Sequence, residues 1–313
     1  AGLRLDTREG ALGARPRGAA VVPTDLEASL LYQRITHSSD GARMPPPALS
    51  NKTLSDEQID VLRRWIEEGA SWDQHWSFAE ITRPDPPAVA DEAWVRNPLD
   101  QFVLARLEAA QLRPAPEADR RTIARRVALD LTGLPPDPGM LASFLSDTSD
   151  QAYEGLVDRL LDSRHWGEHR ARYWLDAARY ADTNGYQTDG ERSMWRWRDW
   201  VIDAYNDNIP FDQFTIEQIA GDLLPAKDEA RRREQRIATG FLSLGPKVLA
   251  EPDKMKMEMD IIDEQIDTLG RALLGLTLGC ARCHDHKFDP IPTADYYALA
   301  GIFKSTKTMD SLK

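Results

Sequence analysis

"MKMEMDIIDEQIDTLGRALLGLTLGCARCH", residues 255–284, is the stretch on which the fold turns. Met255, Met259, Ile262, Ile266, Leu269, Leu273, Leu276, Cys280 and Cys283 recur at alternating steps of four and three, one continuous stripe on an α-helix. The spacing predicts a long helix over about 253–279, with both thiols continuing its buried face. Gly275 and Gly279, four apart, leave a notch on the adjacent face where a flat ligand or another helix approaches closely.

The same period dominates outward from there. "LSDEQIDVLRRWIEEGA" reads as a helix with Ser55 as N-cap and Gln58 completing a capping box. Asn97 and Pro98 open another, with Leu99, Phe102, Val103 and Leu107 predicted to face inward. Further helical patterns lie in "RRTIARRVALDLTG", "DQAYEGLVDRLLDS", "HWGEHRARYWLDAARYAD", "RSMWRWRDWVIDAYNDN", "FTIEQIAGDLLP", "EQRIATGFLSL" and "TADYYALAGIF". No run combines period-two alternation with β-branched residues, so the fold class is all-α, a multi-helix domain with long loops. "RPDPPAVADEAW" is too rich in proline for a helix or central strand. The predicted organisation is therefore a helical segment over 1–80, an extended linker over 81–96 and a main domain over 97–313.

Composition narrows the function. A net charge of −12 excludes a nucleic-acid binder, and the basic run "ARRREQR" at 230–236 reads as the solvated face of a helix. No apolar run is long enough to span a bilayer. The chain opens without Met or a signal peptide and stops abruptly, which suggests a fragment whose location no targeting signal reveals.

The only two cysteines stand as C-x-x-C-H, the spacing of covalent c-type haem attachment. Two thiols one turn apart, Cys280 and Cys283, bond the porphyrin vinyl groups, and His284 becomes the proximal iron ligand. Zinc held by Cys280, Cys283, His284 and His286 is a rival, although four ligands within seven residues are cramped. A redox disulfide and a plain buried cluster are the others. For the distal iron ligand, Met255, Met257 and Met259 are too far, since an unbroken helix puts Met259 about 37 Å from His284. His165 and His169, on one helical face, with Met194 behind them, are the better candidates, and a five-coordinate iron is the alternative. Asp285, Asp289, Asp176 and Asp182 are acid/base candidates or caps. Trp195, Trp197 and Trp200 form a ring wall, a sugar platform or core.

"GLRLDTREGAL", "RMPPPALSNKTLSDEQIDVLRRWIEEGA" and "HWSFAEI" resemble the end of the cytochrome c domain of large exported planctomycete-type proteins. "NPLDQFVLARLE", "RRVALDLTGLPP", "YWLDAARYADTNGY", "RIATGF" and "CARCHDHKFDPI" resemble the domain of unknown function that follows it there. The resemblance implies a haem c protein of the periplasm or cell surface, with a further C-terminal domain. It assigns the C-x-x-C-H of the second domain to Cys280, Cys283 and His284, and makes Met44 the distal ligand of a first haem whose attachment motif is absent here. Electron transfer to a basic redox partner is the expected task. A haem- or metal-dependent enzyme linked to polysaccharide breakdown, with His286, Asp285 and Asp289 near an open iron, is the alternative, and a structural zinc scaffold a third.

Overall fold

Helical period and end-capping account for the architecture. A computed structural model describes residues 5, 7–16, 18–46, 53–72, 78–186 and 189–306. Among these there are thirteen α-helices and no β-strand, only the isolated bridges Val22 to Asp25 and Thr183 to Glu191. The chain divides into two compact units, Ala1–Arg83 and Pro84–Lys313.

The first unit holds α1 (Arg8–Leu12), α2 (Leu30–Ile35) and α3 (Asp56–Glu67). The Ser55/Gln58 capping box forms as the sequence predicts, satisfying backbone donors that the first turn of α3 would otherwise leave open. Val21, Ile66 and Ala70 make a small core, with Leu12, Leu31 and Trp65 packed on it.

The second unit runs α4 (Pro98–Ala109), α5 (Arg120–Thr132), α6 (Pro138–Ser146), α7 (Ala152–Leu161), α8 (Arg164–Ala177), α9 (Trp195–Asn206), α10 (Phe211–Ala220), α11 (Glu229–Ala238), α12 (Lys254–Leu269) and α13 (Thr293–Ser305). Asn97 caps α4 with Pro98 at its first position, as predicted. The predicted inward face of α4 is wrong, however. Leu99 is 74% exposed and Phe102 and Val103 are also exposed, while Leu104 is buried. The proline-rich strip explains the rotation: it lies along the other face, with the Gln101 amide donating to Pro87 O and the Ala90 N–H to the Glu108 carboxylate.

Helices α5 to α7 enclose one cluster around Ala128, Phe144 and Leu156. Helices α8 to α13 enclose the main core, where Trp174, Trp197, Trp200, Phe214 and Phe241 interlock. Trp200 stacks on Phe214 at 5.4 Å and Trp174 meets the same ring edge-on at 5.1 Å. Burying a ring of this size contributes roughly 2–3 kcal/mol. The indole N–H groups are satisfied, Trp197 donating to Ala238 O and Trp174 to Gln218 Oε1. Trp197 and Trp200 are therefore core residues, and Trp195 alone of the three is exposed, with Arg196 over its ring.

Candidate functional site

The long helix of the sequence reading is two elements joined by a reversal. Helix α12 ends at Leu269, a π-turn follows over Gly270–Leu274, and Gly275 takes the left-handed conformation at φ 66°. The N–H groups of both Gly275 and Leu276 close onto Gly270 O, the latter at 3.0 Å, and turn the chain back. Gly270 permits this because a Cβ there would stand 2.7 Å from the Leu278 side chain and 2.8 Å from Leu276 O. The returning segment forms a 3₁₀ turn, Leu278–Arg282. It runs antiparallel to α12: Gly279 sits against Asp267, and the Arg282 guanidinium pairs with Asp260 at 3.2 Å and Asp263 at 3.0 Å.

The consequence for the cysteines is a correction. The predicted stripe buries both thiols, yet Cys280 and Cys283 are exposed and unbridged. In a 3₁₀ turn, side chains three apart eclipse. Leu278 and Ala281 take the buried side and the two thiols share another.

Beyond the turn, the two histidines differ. His284 is exposed, and its Nδ1 lies 2.8 Å from Asp285 O. A carbonyl oxygen only accepts, so Nδ1 carries the proton and Nε2 keeps its lone pair. The His286 side chain is only 7% exposed. Its Nδ1 accepts from Asp289 N–H at 2.8 Å and from Phe288 N–H at 3.2 Å. Nε2 therefore bears the proton and donates to Thr277 Oγ1 at 2.8 Å. His286 ties the loop to the reversal with both nitrogens. Asp285 accepts from Thr293 N–H at the start of α13, and Tyr297 O–H donates to Arg282 O.

Cys280 stands at the rim of a cavity of about 500 Å³. One face of α12 provides one wall, including Met257, Asp260, Glu264 and Asp267, and Lys247 and Arg179 face it. Arg179 bridges Glu264 at 2.6 Å and donates to the Glu264 carbonyl at 2.8 Å. Burial pushes the Glu264 carboxyl above its usual range, against the opposing pull of Arg179. Burial likewise lowers the Lys247 ammonium to about 8, with Glu264 opposing and Arg192 and Arg179 adding to the fall. Lys247 donates to Ser243 O at 2.5 Å and Gly245 O at 3.1 Å.

The other predicted residues lie elsewhere. His165 pairs with Glu168 at 2.6 Å. His169 packs on Gly133, edge-on to Tyr173, and burial lowers its pKa. Both sit toward the start of α8, about 18 and 12 Å along the axis from the Ala177 end that leads to Arg179. Met194 is half-buried at the N-cap of α9, its N–H on Asp182, and none of the three lines the cavity beside Cys280. Asp182 accepts the Tyr180 hydroxyl at 2.9 Å, and Asp176 is exposed. Met44 is exposed in the first unit, its N–H on Arg34 O. Among the described residues, no three His, Cys, Asp or Glu side chains converge as a metal site, and the zinc set of Cys280, Cys283, His284 and His286 is not gathered, because His286 is engaged on both nitrogens.

The residues present fit a covalently bound haem. Two reduced, exposed thiols leave one turn on a shared side, and the neighbouring imidazole holds a free lone pair fixed by a backbone carbonyl, the arrangement that orients a metal-ligating histidine.

Residues 98–308 match the family PSCyt2, described as a protein of unknown function (DUF1549). The chain belongs to the PSCyt2 family. Residues 1–48 of this PSCyt2 chain match a second family, described as planctomycete cytochrome C. No curated protein and no solved structure matches it. Among the described residues, no helix is long and apolar enough to cross a membrane.

Sequence reading did not single out Met257, Lys247, Glu264 or Arg179 as neighbours of Cys280. One signal was available: Asp260, Asp263, Glu264 and Asp267 repeat at steps of three and four on the face of α12 opposite Ile262 and Ile266.

Proposed function

We propose that this PSCyt2 chain is an exported electron-transfer module carrying one haem c on Cys280 and Cys283, with His284 as proximal ligand. The observation that carries this reading is the pairing of two outward thiols on one turn with an imidazole whose Nδ1–H is spent on Asp285 O. When bound, the haem supplies a one-electron couple, tuned by its axial ligands and by burial. The chain's own residues do the rest. Leu278 and Ala281 anchor the turn, His286 pins the following loop, and Tyr297 and Asp285 join that loop to α13. Haem c attachment requires export, which sets the location as periplasm or cell surface. The chain's excess of acid suits a basic redox partner.

The test is expression of the whole chain behind an export signal in cells with a cytochrome c maturation system, followed by extraction with acidified acetone. Wild type is expected to keep its haem, seen as a reduced pyridine haemochrome, and the Cys280→Ala/Cys283→Ala double variant to lose it. A wild-type product freed of haem by extraction, from cells that mature a control cytochrome, would refute the reading.

A further inference from the structure

The geometry points to Met257 as the distal iron ligand, an inference that rests on the haem reading above. On an unbroken helix Met257 lies far from His284. The reversal at Gly275 removes that objection, because the 3₁₀ turn bearing the cysteines runs back along α12 toward its N-terminal half. Arg282 reaches Asp260, and Met257 is three residues beyond it on α12, about 4.5 Å along the axis. Met257 and Cys280 consequently border one cavity of about 500 Å³, and His284 does not line it. A distal ligand must approach the face of the porphyrin opposite the proximal histidine, and Met257 lines a cavity wall to which Cys280 contributes and His284 does not.

Chemistry then selects among the wall residues. Lys247 holds its ammonium against two carbonyls, Ser243 O and Gly245 O. Asp260 pairs with Lys256 and Arg282, Glu264 with Arg179, and Asp267 with Arg271. Tyr186 is half exposed to solvent at the mouth. Met257 is 3% exposed, and its thioether is a soft, neutral donor of the kind that ligates haem iron and raises its potential. Met255, 61% exposed and outside the cavity, is the internal control.

The experiment compares the matured full chain with Met257→Leu, which conserves volume and cannot ligate, with Met257→Ala, and with Met255→Leu. Three properties are read: the far-red charge-transfer band of ferric thioether ligation, carbon monoxide binding to the ferrous form, and the midpoint potential. Wild type and Met255→Leu are expected to show the band and to resist carbon monoxide. Both Met257 variants are expected to lose the band, bind carbon monoxide stoichiometrically with haem and fall in potential. Haem retained with a band that survives Met257→Leu, or a wild type that binds carbon monoxide as readily as the variants, overturns this inference alone. A wild type without covalent haem overturns the haem reading and this inference together.

Discussion

At His284 the nitrogen facing Asp285 O must carry the proton, and at His286 the nitrogen facing Asp289 N–H must not, so two histidines two residues apart are fixed in opposite tautomers. One is left able to ligate and the other is consumed as a staple. C-x-x-C-H was legible in the sequence and singled out His284, whereas the commitment of His286 depends on backbone groups from residues 288 and 289 that only the folded loop presents. Lys247 was invisible at this scale, since nothing in "GPKVLAEP" signals burial. Its titration is testable. The folded pKa is about 8 against 10.5 for an unperturbed lysine, so the unfolded chain holds the proton more tightly. Where the unfolded state binds more protons, stability rises with pH. Between about 8 and 10.5 the wild type should gain up to about 3 kcal/mol relative to Lys247→Met. Guanidinium denaturation of both proteins across that range measures it, and parallel pH profiles would rule it out.

At the scale of elements, capping was the reliable signal. Ser55, Asn97 and Asp119 cap where a short polar side chain precedes an apolar period, and Gly133 stops α5 in the left-handed conformation. Helix α6 escaped notice because "PPDPGM" reads as a turn, although Asp137 caps it by accepting from Gly139 and Met140 N–H with Pro138 in the first turn. The long-helix reading failed for a definite reason. A stripe at steps of three and four continues through 283 whether or not the backbone does, and Leu276 and Leu278 satisfy the same apolar demand by folding back onto Gly270. Two substitutions test the reversal. Gly275→Ala meets no atom within 4 Å but must hold φ 66°, which costs about 1 kcal/mol. Gly270→Ala drives a methyl against Leu278 and Leu276 O and is expected to cost more, about 2–3 kcal/mol, and to disturb haem attachment. Urea midpoints rank the pair, and equal midpoints would deny Gly270 its role.

At the scale of the molecule, the all-α class followed from helical period in every long segment, and the family match covers the helices that build the second unit. Its core is aromatic, and the tryptophans that sequence alone left open between wall and core divide cleanly, two inside and one outside. Charge acts at this scale too. With −12 overall, reduction by a basic donor protein is expected to slow as ionic strength rises from about 0.01 to about 0.15 M, where the Debye length contracts from about 30 to about 8 Å. Reduction by a small neutral donor should change little, so stopped-flow rates that respond equally to salt would remove the steering role.

Local chemistry was thus written in the sequence: the capped starts of α3 and α4, the all-α class, the C-x-x-C-H spacing and the acidic charge, the first and third set by residues near one another in the chain. Tertiary structure decided which faces are buried, where α12 breaks and which residues share a cavity with Cys280. Those outcomes depend on contacts between segments far apart, such as Pro87 on Gln101 and Arg179 on Glu264, and no local period encodes which distant surface a helix will meet.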